Sequence, residues 1–573
     1  MSFSRSPRQA DLKVYDALIV GFGPVGATLA NLLARRGLDI AVIDGTADIY
    51  DKPRAISLDH EVMRIFQACG LAHDIARLTA PHPGTHYLGM DGRVIRKMEL
   101  QPPPYPLGWI PNVTFVQPVL EGQLRKGLAG AANVDVLLGE PVVGLAQDGN
   151  GAELPLLTLR DGTTLRGCYV LACDGANSFV RRQLDIGVED LEFDEWWMVV
   201  DVRVPPGLAL PAKSIQYCRP WRPATFVIGP GDLRRWEIKM LPGENPEEFG
   251  RPENVVRLLA EFVDPARIKV WRSAVYRFHA LLAERWQQGR AFLLGDACHQ
   301  TPPFLGQGMC AGIRDAANLA WKLVAVLRDG AQDALLESYE MERKPHVRRL
   351  VALAKEFGLL IGELDPHAAR ERDERLRGAL ERGEAETIRQ RYIPGLTAGL
   401  IDADPLAGTL FVQPRVRVPA GDAPVDAGGD ALVGAGGDAL MDDVVPFRFL
   451  IVTAGAEAQT WLSEESRRRW QRLGGERVIV RSEPSPPAVP ADAASAPATS
   501  VPAASAPAAI HDIRELIECG RLFADWVEKH GCAAAVVRPD RYVFGVAHDA
   551  AGLNRLVSRV CAGVMGPAAE VVP

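Results

Sequence analysis

Val14-Tyr15-Asp16-Ala17-Leu18-Ile19-Val20-Gly21-Phe22-Gly23-Pro24-Val25-Gly26 decides the fold. Its first half is a short apolar run of strand character, and its second half is a G-x-G-x-x-G turn. Gly26 to Arg36 then repeats apolar residues at helical spacing, and Ile40 to Ile43 is a second short apolar run. Strand, helix and strand in that order predict a β-α-β unit with a parallel crossover. Gly21 permits the tight turn, Gly23 lets the backbone approach a pyrophosphate, and Gly26 lets helix pack on strand. Pro24 and Val25 complete the turn, and amides at the helix N-terminus that follows meet the phosphate charge. Asp44 ends the second strand, where a carboxylate accepts ribose hydroxyls. The pattern alone serves NAD, NADP and FAD equally.

Further along, two segments approach as strands and end in acid-bearing turns. They are Gly162 to Asp174 and Arg290 to Asp296. Residues 189–285 change character: they alternate and carry Trp196, Trp197, Trp221, Trp236 and Trp271 without long helical periods. They read as an antiparallel sheet inserted into the nucleotide-binding domain. Gly308 to Leu327 is strongly helical, and Asp365 to Arg391 reads as a charged surface helix. In a third region, 405–573, Phe449 to Thr453, Arg477 to Arg481 and Ala533 to Arg538 read as strands with helices between them. Residues 482–509 are nearly all Ala, Pro, Ser and Val, a flexible insertion by composition. Gly428 to Leu432 and Gly436 to Leu440 read as a local loop duplication.

A length of 573 residues implies several domains. The net charge of −8 is spread along the chain without a basic block, which argues against nucleic acid and anionic membrane as partners. Nine scattered cysteines with no CxxC and no Cys/His metal spacing fit a reducing cytosol and no metal. The first apolar run breaks at once into Gly21, so it is neither a signal peptide core nor a span, and a cytoplasmic location is expected.

Two later segments narrow the cofactor. Asp174-Gly175-Ala176-Asn177-Ser178-Phe179-Val180-Arg181 resembles the D-G-x-x-S-x-V-R signature of class A FAD-dependent aromatic hydroxylases. Gly295-Asp296-Ala297-Cys298-His299-Gln300-Thr301-Pro302-Pro303-Phe304-Leu305-Gly306-Gln307-Gly308 resembles their G-D-A-x-H-x-x-P-P-x-x-G-Q-G signature. The resemblance implies FAD, with Asp296 toward the ribityl chain and the loop of Pro303, Gly306, Gln307, Gly308 and Met309 close to the ring system. It also implies that Asp174 and Arg181 support flavin and nicotinamide contacts, with His299 a structural loop residue. Arg54 resembles the arginine that reaches the pyrophosphate, and Gln117, with Arg125 beyond it, the flavin-contacting glutamine. Each of these three is equally readable as a surface or capping residue. The implied fold class is α/β. A Rossmann-like FAD-binding domain (12–188 and 286–400) carries an inserted antiparallel substrate sheet (189–285) and a C-terminal thioredoxin-like domain (405–573).

Pro53 to Arg64, Tyr217 to Pro223, Arg234 to Glu244, Val275 to Trp286, Leu336 to Val347 and Ala535 to Val543 resemble 3-(3-hydroxyphenyl)propionate and 3-hydroxycinnamate hydroxylases. The sequence departs at Cys310, where many relatives carry Asn, and at Asp44, where Glu is commoner. The resemblance implies ortho-hydroxylation of a phenolic carboxylate with NADH (NADPH remains open) and O2, through a C4a-hydroperoxyflavin. Asp59, His60 and Tyr217 are candidates for polarising the phenol. They read equally well as a helix cap, an exposed helix residue and a packed aromatic. Arg219, Arg222 and His279 are candidates for the carboxylate. The C-terminal region lacks CxxC, so packing or homodimerisation is its simpler role. Hydroxylation of another phenol or an aromatic polyketide, and an FAD reductase without oxygen transfer, stay open as alternatives.

Overall fold

The computed structural model describes residues 13–148, 151, 153–417, 437–482 and 513–566. It divides into two units, Met1–Leu400 and Ile401–Pro573.

In the first unit the opening stretch forms β1 (Val14–Val20), α1 (Pro24–Ala34) and β2 (Ile40–Asp44). β1 lies parallel between β2 and the strand Thr164–Ala172, which in turn lies parallel to Ala291–Leu293. Register aligns Ile43, Val20, Ala172 and Leu293 in one row across four strands. Four strands pointing the same way must end on the same edge. The turns that follow them, at Gly21, Asp44, Cys173-Asp174 and Leu294-Asp296, therefore gather there, where open α/β sheets place their ligands. The strands are fully apolar because both faces are covered: Ala17, Leu18, Ile19, Ala41 and Val42 have no exposed surface.

A second sheet of nine strands carries the residues of the insertion. It is wider than 189–285. Thr85–Leu88, Val94–Glu99, His299–Gln300 and Glu386–Ile388 also join it. The inserted stretch also contains two short helices, Pro246–Phe249 and Pro252–Leu259. Alternation gives the sheet two different faces. Met198, Val200, Ile215, Phe226, Trp236 and Ile238 form one core with these helices, while Trp197 and Cys218 pack with the nucleotide-binding core.

The helix expected over Asp365 to Arg391 stops at Glu381. Gly383, at φ +77°, turns the chain, and Glu386–Ile388 returns as a strand. The charged composition hid this break, and Arg372, Asp373 and Arg389 are buried rather than solvated.

In the second unit, Arg514–Glu518, Glu476–Ser482 and Leu450–Thr453 are parallel neighbours, and Ala534–Val537 and Val543–Ala547 continue the sheet antiparallel. With the helices Glu464–Arg472 and Ala550–Met565 this is a thioredoxin-like layout. Asp438–Leu440 is a strand paired with Arg415–Arg417, so the second duplicated copy is not simply loop. Most of the Pro/Ala/Ser stretch 482–509 lies outside the described residues. No helix among the described residues is long and apolar enough to cross a membrane.

Candidate active site

The glycine turn is built as a cradle. Gly21 adopts φ +100°, and a Cβ there would come within 2.3 Å of the Cys173 carbonyl oxygen. A Cβ on Gly26 would lie 2.0 Å from the Gly21 carbonyl oxygen. A Cβ on Gly23, by contrast, would meet nothing within 4 Å. Two glycines thus close the turn and the third leaves space, as a pyrophosphate against backbone requires. Asp44 Oδ2 accepts the Phe22 N–H at 2.7 Å, which fixes the carboxylate beside the turn.

Other polar atoms on this edge lack protein partners. Asp174 Oδ1 is buried and unpaired, while Oδ2 accepts the Val180 N–H at 3.1 Å. Burial raises the Asp174 carboxyl above its ordinary value, partly opposed by hydrogen bonds from Ser178 and Val180. Arg125 Nε is buried and unpaired, its guanidinium 4.5 Å over the Phe22 ring. Asp296 is exposed; desolvation by the surrounding protein raises its carboxyl, partly opposed by His299 and Arg54. Orphaned acid and guanidinium groups around an open glycine turn fit a dinucleotide with hydroxyls and a pyrophosphate.

Gln117 holds the approach. Its Oε1 accepts the N–H groups of Arg54 and Ala55 at 3.0 and 2.6 Å, and its Nε2 donates to Glu121 at 2.6 Å. The Arg54 side chain is exposed and lies 5.4 Å from the Tyr50 ring. Arg181 donates to the carbonyls of Ala297 and Ala176 at 2.7 and 3.0 Å, so it ties the two signature segments together.

The loop Pro303–Leu305 ends at Gly306, at φ +58°, and leads into the helix Gly308–Arg328. Pro303, Gly308 and Met309 are half-buried at its mouth. Gly312, which belongs to none of the signature segments, lets this helix press on Val25 and Gly295. A Cβ there would lie 2.6 Å from Val25 Cγ2 and 2.9 Å from Gly295 Cα. The only available sign was its i+4 spacing from Gly308.

Asp59 sits at a junction. Its Oδ1 caps the helix His60–Ala68, accepting from Glu61 and Val62 N–H at 3.2 Å each. Its Oδ2 accepts from Gln307 at 3.1 Å and Arg314 at 2.5 Å. Burial pushes the Asp59 carboxyl up, but Arg314 and the capping N–H hold it below the ordinary range. His60 is buried, not exposed, and burial depresses it to about 4.

Strand alternation gives Tyr217 the environment of a packed aromatic. Its ring packs 5.1 Å from that of Phe262, with the core that the two short helices cover. Its register neighbour Leu88 packs on the same face, whereas Tyr87 and Cys218 point toward the nucleotide-binding core. Arg219 pairs with Glu261 at 2.8 Å, and Arg222 forms two 2.7 Å hydrogen bonds with Glu244. Both guanidiniums are committed. His279 lies 3.8 Å from Asp194.

Buried Cys298, His299 and Asp315 lie together. His299 Nε2 bonds Asp315 at 2.7 Å and Arg343 donates to its other oxygen at 2.9 Å. A guanidinium already neutralises that carboxylate, so the trio knits loop to helix.

The FAD binding domain family matches residues 14–354, and the HcaD C-terminal domain family matches 408–563. The chain belongs to the class A FAD-dependent aromatic hydroxylases. Within that class it is similar to the 3-(3-hydroxy-phenyl)propionate/3-hydroxycinnamic acid hydroxylase of Paraburkholderia xenovorans (strain LB400). The two are 32% identical over 94% of this chain and 90% of the relative. A probable NADH-specific resorcinol 4-hydroxylase of Rhodococcus jostii (strain RHA1) is 31% identical over 98% of both chains. Aklavinone-11 hydroxylase, solved with FAD and aklavinone, shares the fold at TM-score 0.69 and 21% identity, over 96% of this chain and 99% of its own.

Proposed function

We propose that this chain uses NADH and O2 to hydroxylate 3-(3-hydroxyphenyl)propionate, and 3-hydroxycinnamate with it, to the 2,3-dihydroxy products. The observation that carries this reading is the row of strand ends that gathers Gly21, Asp44, Asp174 and Asp296 on one edge. It stands in a chain whose relatives of matching length are named hydroxylases of these acids. When bound, FAD would supply the redox and oxygen-transfer chemistry, with NADH as the reductant and O2 as the oxygen source.

The protein's part is to hold and shield. Gly23 admits the pyrophosphate, with Arg54 and Arg125 as its cationic neighbours. Asp44 and Asp296 accept hydroxyls of the two sugar-derived chains. The N-terminal end of the helix Gly308–Arg328, opened by Gln307, favours negative charge placed before it. Gln117 positions the Arg54 backbone, and Asp174 and Arg181 hold the crossing of the two signature segments. Trp197, Phe278 and Phe304 form an apolar cluster, with ring centroids 5.2 to 6.1 Å apart, between sheet and loop. Such a wall keeps water from the reacting face. Asp59 acts as a positioning residue, setting Gln307 through its 3.1 Å hydrogen bond. His60, neutral at pH 7, supports it. The protein works in the cytoplasm in this reading.

The test is NADH and O2 consumption with a panel of phenols, with product mass measured. Gain of one oxygen atom on 3-(3-hydroxyphenyl)propionate supports the reading. Similarity to the resorcinol enzyme favours a second, in which a simple dihydric phenol is the better substrate. NADH oxidation that yields only peroxide with every phenol refutes both.

A further inference from the structure

Arg389 is a buried cation that the cofactor site does not use. It opens the short turn Arg389–Tyr392, directly after the strand Glu386–Ile388 at the edge of the nine-stranded sheet. It is 9% exposed. One terminal nitrogen donates to the Leu305 carbonyl, and Nε is buried with no hydrogen-bond partner.

The contrast with other buried arginines is informative. Arg235, Arg272, Arg314, Arg343 and Arg372 each face a carboxylate. Arg389 does not. The carboxylate that acts on it is Asp59, whose two oxygens already serve Glu61, Val62, Gln307 and Arg314. An unmatched buried charge is costly, and a ligand that brings the counter-charge removes the cost.

Its position says which ligand. A Cβ on Gly306 would lie 2.9 Å from the Arg389 guanidinium and 2.6 Å from Ser57 Oγ. The guanidinium is therefore pressed against the loop Pro303–Gly306. Tyr87, packed in the nucleotide-binding core, lies within electrostatic reach of Arg389. Burial pushes the Tyr87 hydroxyl up, so it stays a donor. His82 lies nearby and burial depresses it to about 3, so it adds no positive charge at neutral pH.

We propose that Arg389 binds an anionic oxygen of the aromatic substrate, carboxylate or phenolate, and fixes the ring against the loop Pro303–Gly306. This rests on the hydroxylase reading above. The committed ion pairs of Arg219 and Arg222 support it, since they leave two of the three carboxylate candidates occupied.

The test is binding to the FAD-loaded protein, followed by the change in flavin absorption on titration, for wild type, Arg389→Met and Arg389→Lys. The probes are 3-phenylpropionate, which lacks the phenol, and 3-ethylphenol at alkaline pH, which lacks the carboxylate. Arg389→Met is expected to weaken one probe about tenfold or more and leave the other unchanged. Selective loss of 3-phenylpropionate identifies the carboxylate as the anchored group; selective loss of 3-ethylphenol identifies the phenolate. If the methionine variant does not retain FAD, Arg389→Lys is read for the same selective weakening of one probe, because an ammonium does not reproduce the planar fork of the guanidinium. Equal affinities, or an equal loss for both probes, overturn the proposal. These constants need no turnover. A wild-type enzyme that hydroxylates no phenol would sink the hydroxylase reading separately.

Discussion

Arg235 donates a 2.7 Å hydrogen bond to the carbonyl oxygen of Arg54, 181 residues earlier in the chain. Its other terminal nitrogen reaches the Pro53 carbonyl at 3.1 Å, and Arg272 reaches the same carbonyl at 2.5 Å. Asp201 holds both guanidiniums, at 2.8 Å from Arg235 Nε and 3.4 Å from Arg272. Register explains the cluster: Asp201 stands opposite Arg235 on one neighbouring strand and opposite Arg272 on the other. The sheet thereby grips the loop that presents Arg54.

Asp201→Asn should loosen that grip. Two buried guanidiniums would share no carboxylate, and the loss is expected at about 3 kcal/mol or more. Chemical denaturation measures it, and FAD release on dilution should accelerate in parallel. A variant with wild-type stability and wild-type FAD retention would show that the cluster does not govern the loop.

Gly23→Ala and Gly26→Ala should fail differently. A methyl at Gly23 enters open space, so the apoprotein should keep its melting temperature and lose FAD. A methyl at Gly26 meets the Gly21 carbonyl oxygen at 2.0 Å, so the apoprotein itself should be destabilised. Scanning calorimetry of both apoproteins, with FAD titration, separates the outcomes.

Asp59→Asn and Asp59→Ala divide cap from charge. Asparagine caps helices as well as aspartate, so Asp59→Asn keeps the cap and loses the ion pair with Arg314 and the acceptor for Gln307. Asp59→Ala loses the cap too and should be less stable by about a further 1 kcal/mol. Equal urea midpoints for the two would remove the capping role.

His60 and His82 make the fold acid-sensitive. Burial depresses them to about 4 and about 3 in the folded chain, so the unfolded chain binds protons more readily. Their contribution is fully present above pH ~6.5 and is lost as pH falls toward the folded values, up to about 3 kcal/mol for His60. The melting temperature should drop over that window, and less steeply in His60→Asn. A slope unchanged by this substitution would assign the acid transition to other groups.

Tyr217→Phe should leave kcat and KM within about twofold of wild type, since its ring packs on Phe262. Tyr87→Phe should raise KM. The reverse pattern in steady-state assays would restore Tyr217 as a substrate contact.

The parallel framework was legible because its signals are local. An apolar run, a glycine turn and a strand-ending acid each carry their reason within a few residues, and Gly21, Asp44 and Asp296 fall where those reasons put them. Side-chain facing was less legible. Tyr217 differs from Gln216 and Cys218 by one residue, and one residue inverts the face. Arg389 lay hidden in a charged run that reads as solvated. What buries it is the turn after Gly383 and a strand pairing with Val94–Glu99, nearly three hundred residues away. Asp201, Arg235 and Arg272 were silent for the same reason, because each is explained only by its cross-strand neighbours.

The nine-stranded sheet also limits how this enzyme can be re-engineered. Four separate stretches outside 189–285 supply strands to it, from Thr85–Leu88 to Glu386–Ile388. A graft cut at the borders of the insertion would leave those strands facing a stranger's hydrogen-bonding edge, and would discard the Asp201 staple. Transplanting specificity from a related hydroxylase therefore calls for exchanging whole strand partners together, or for single substitutions on the cofactor-facing side, rather than for swapping a cassette.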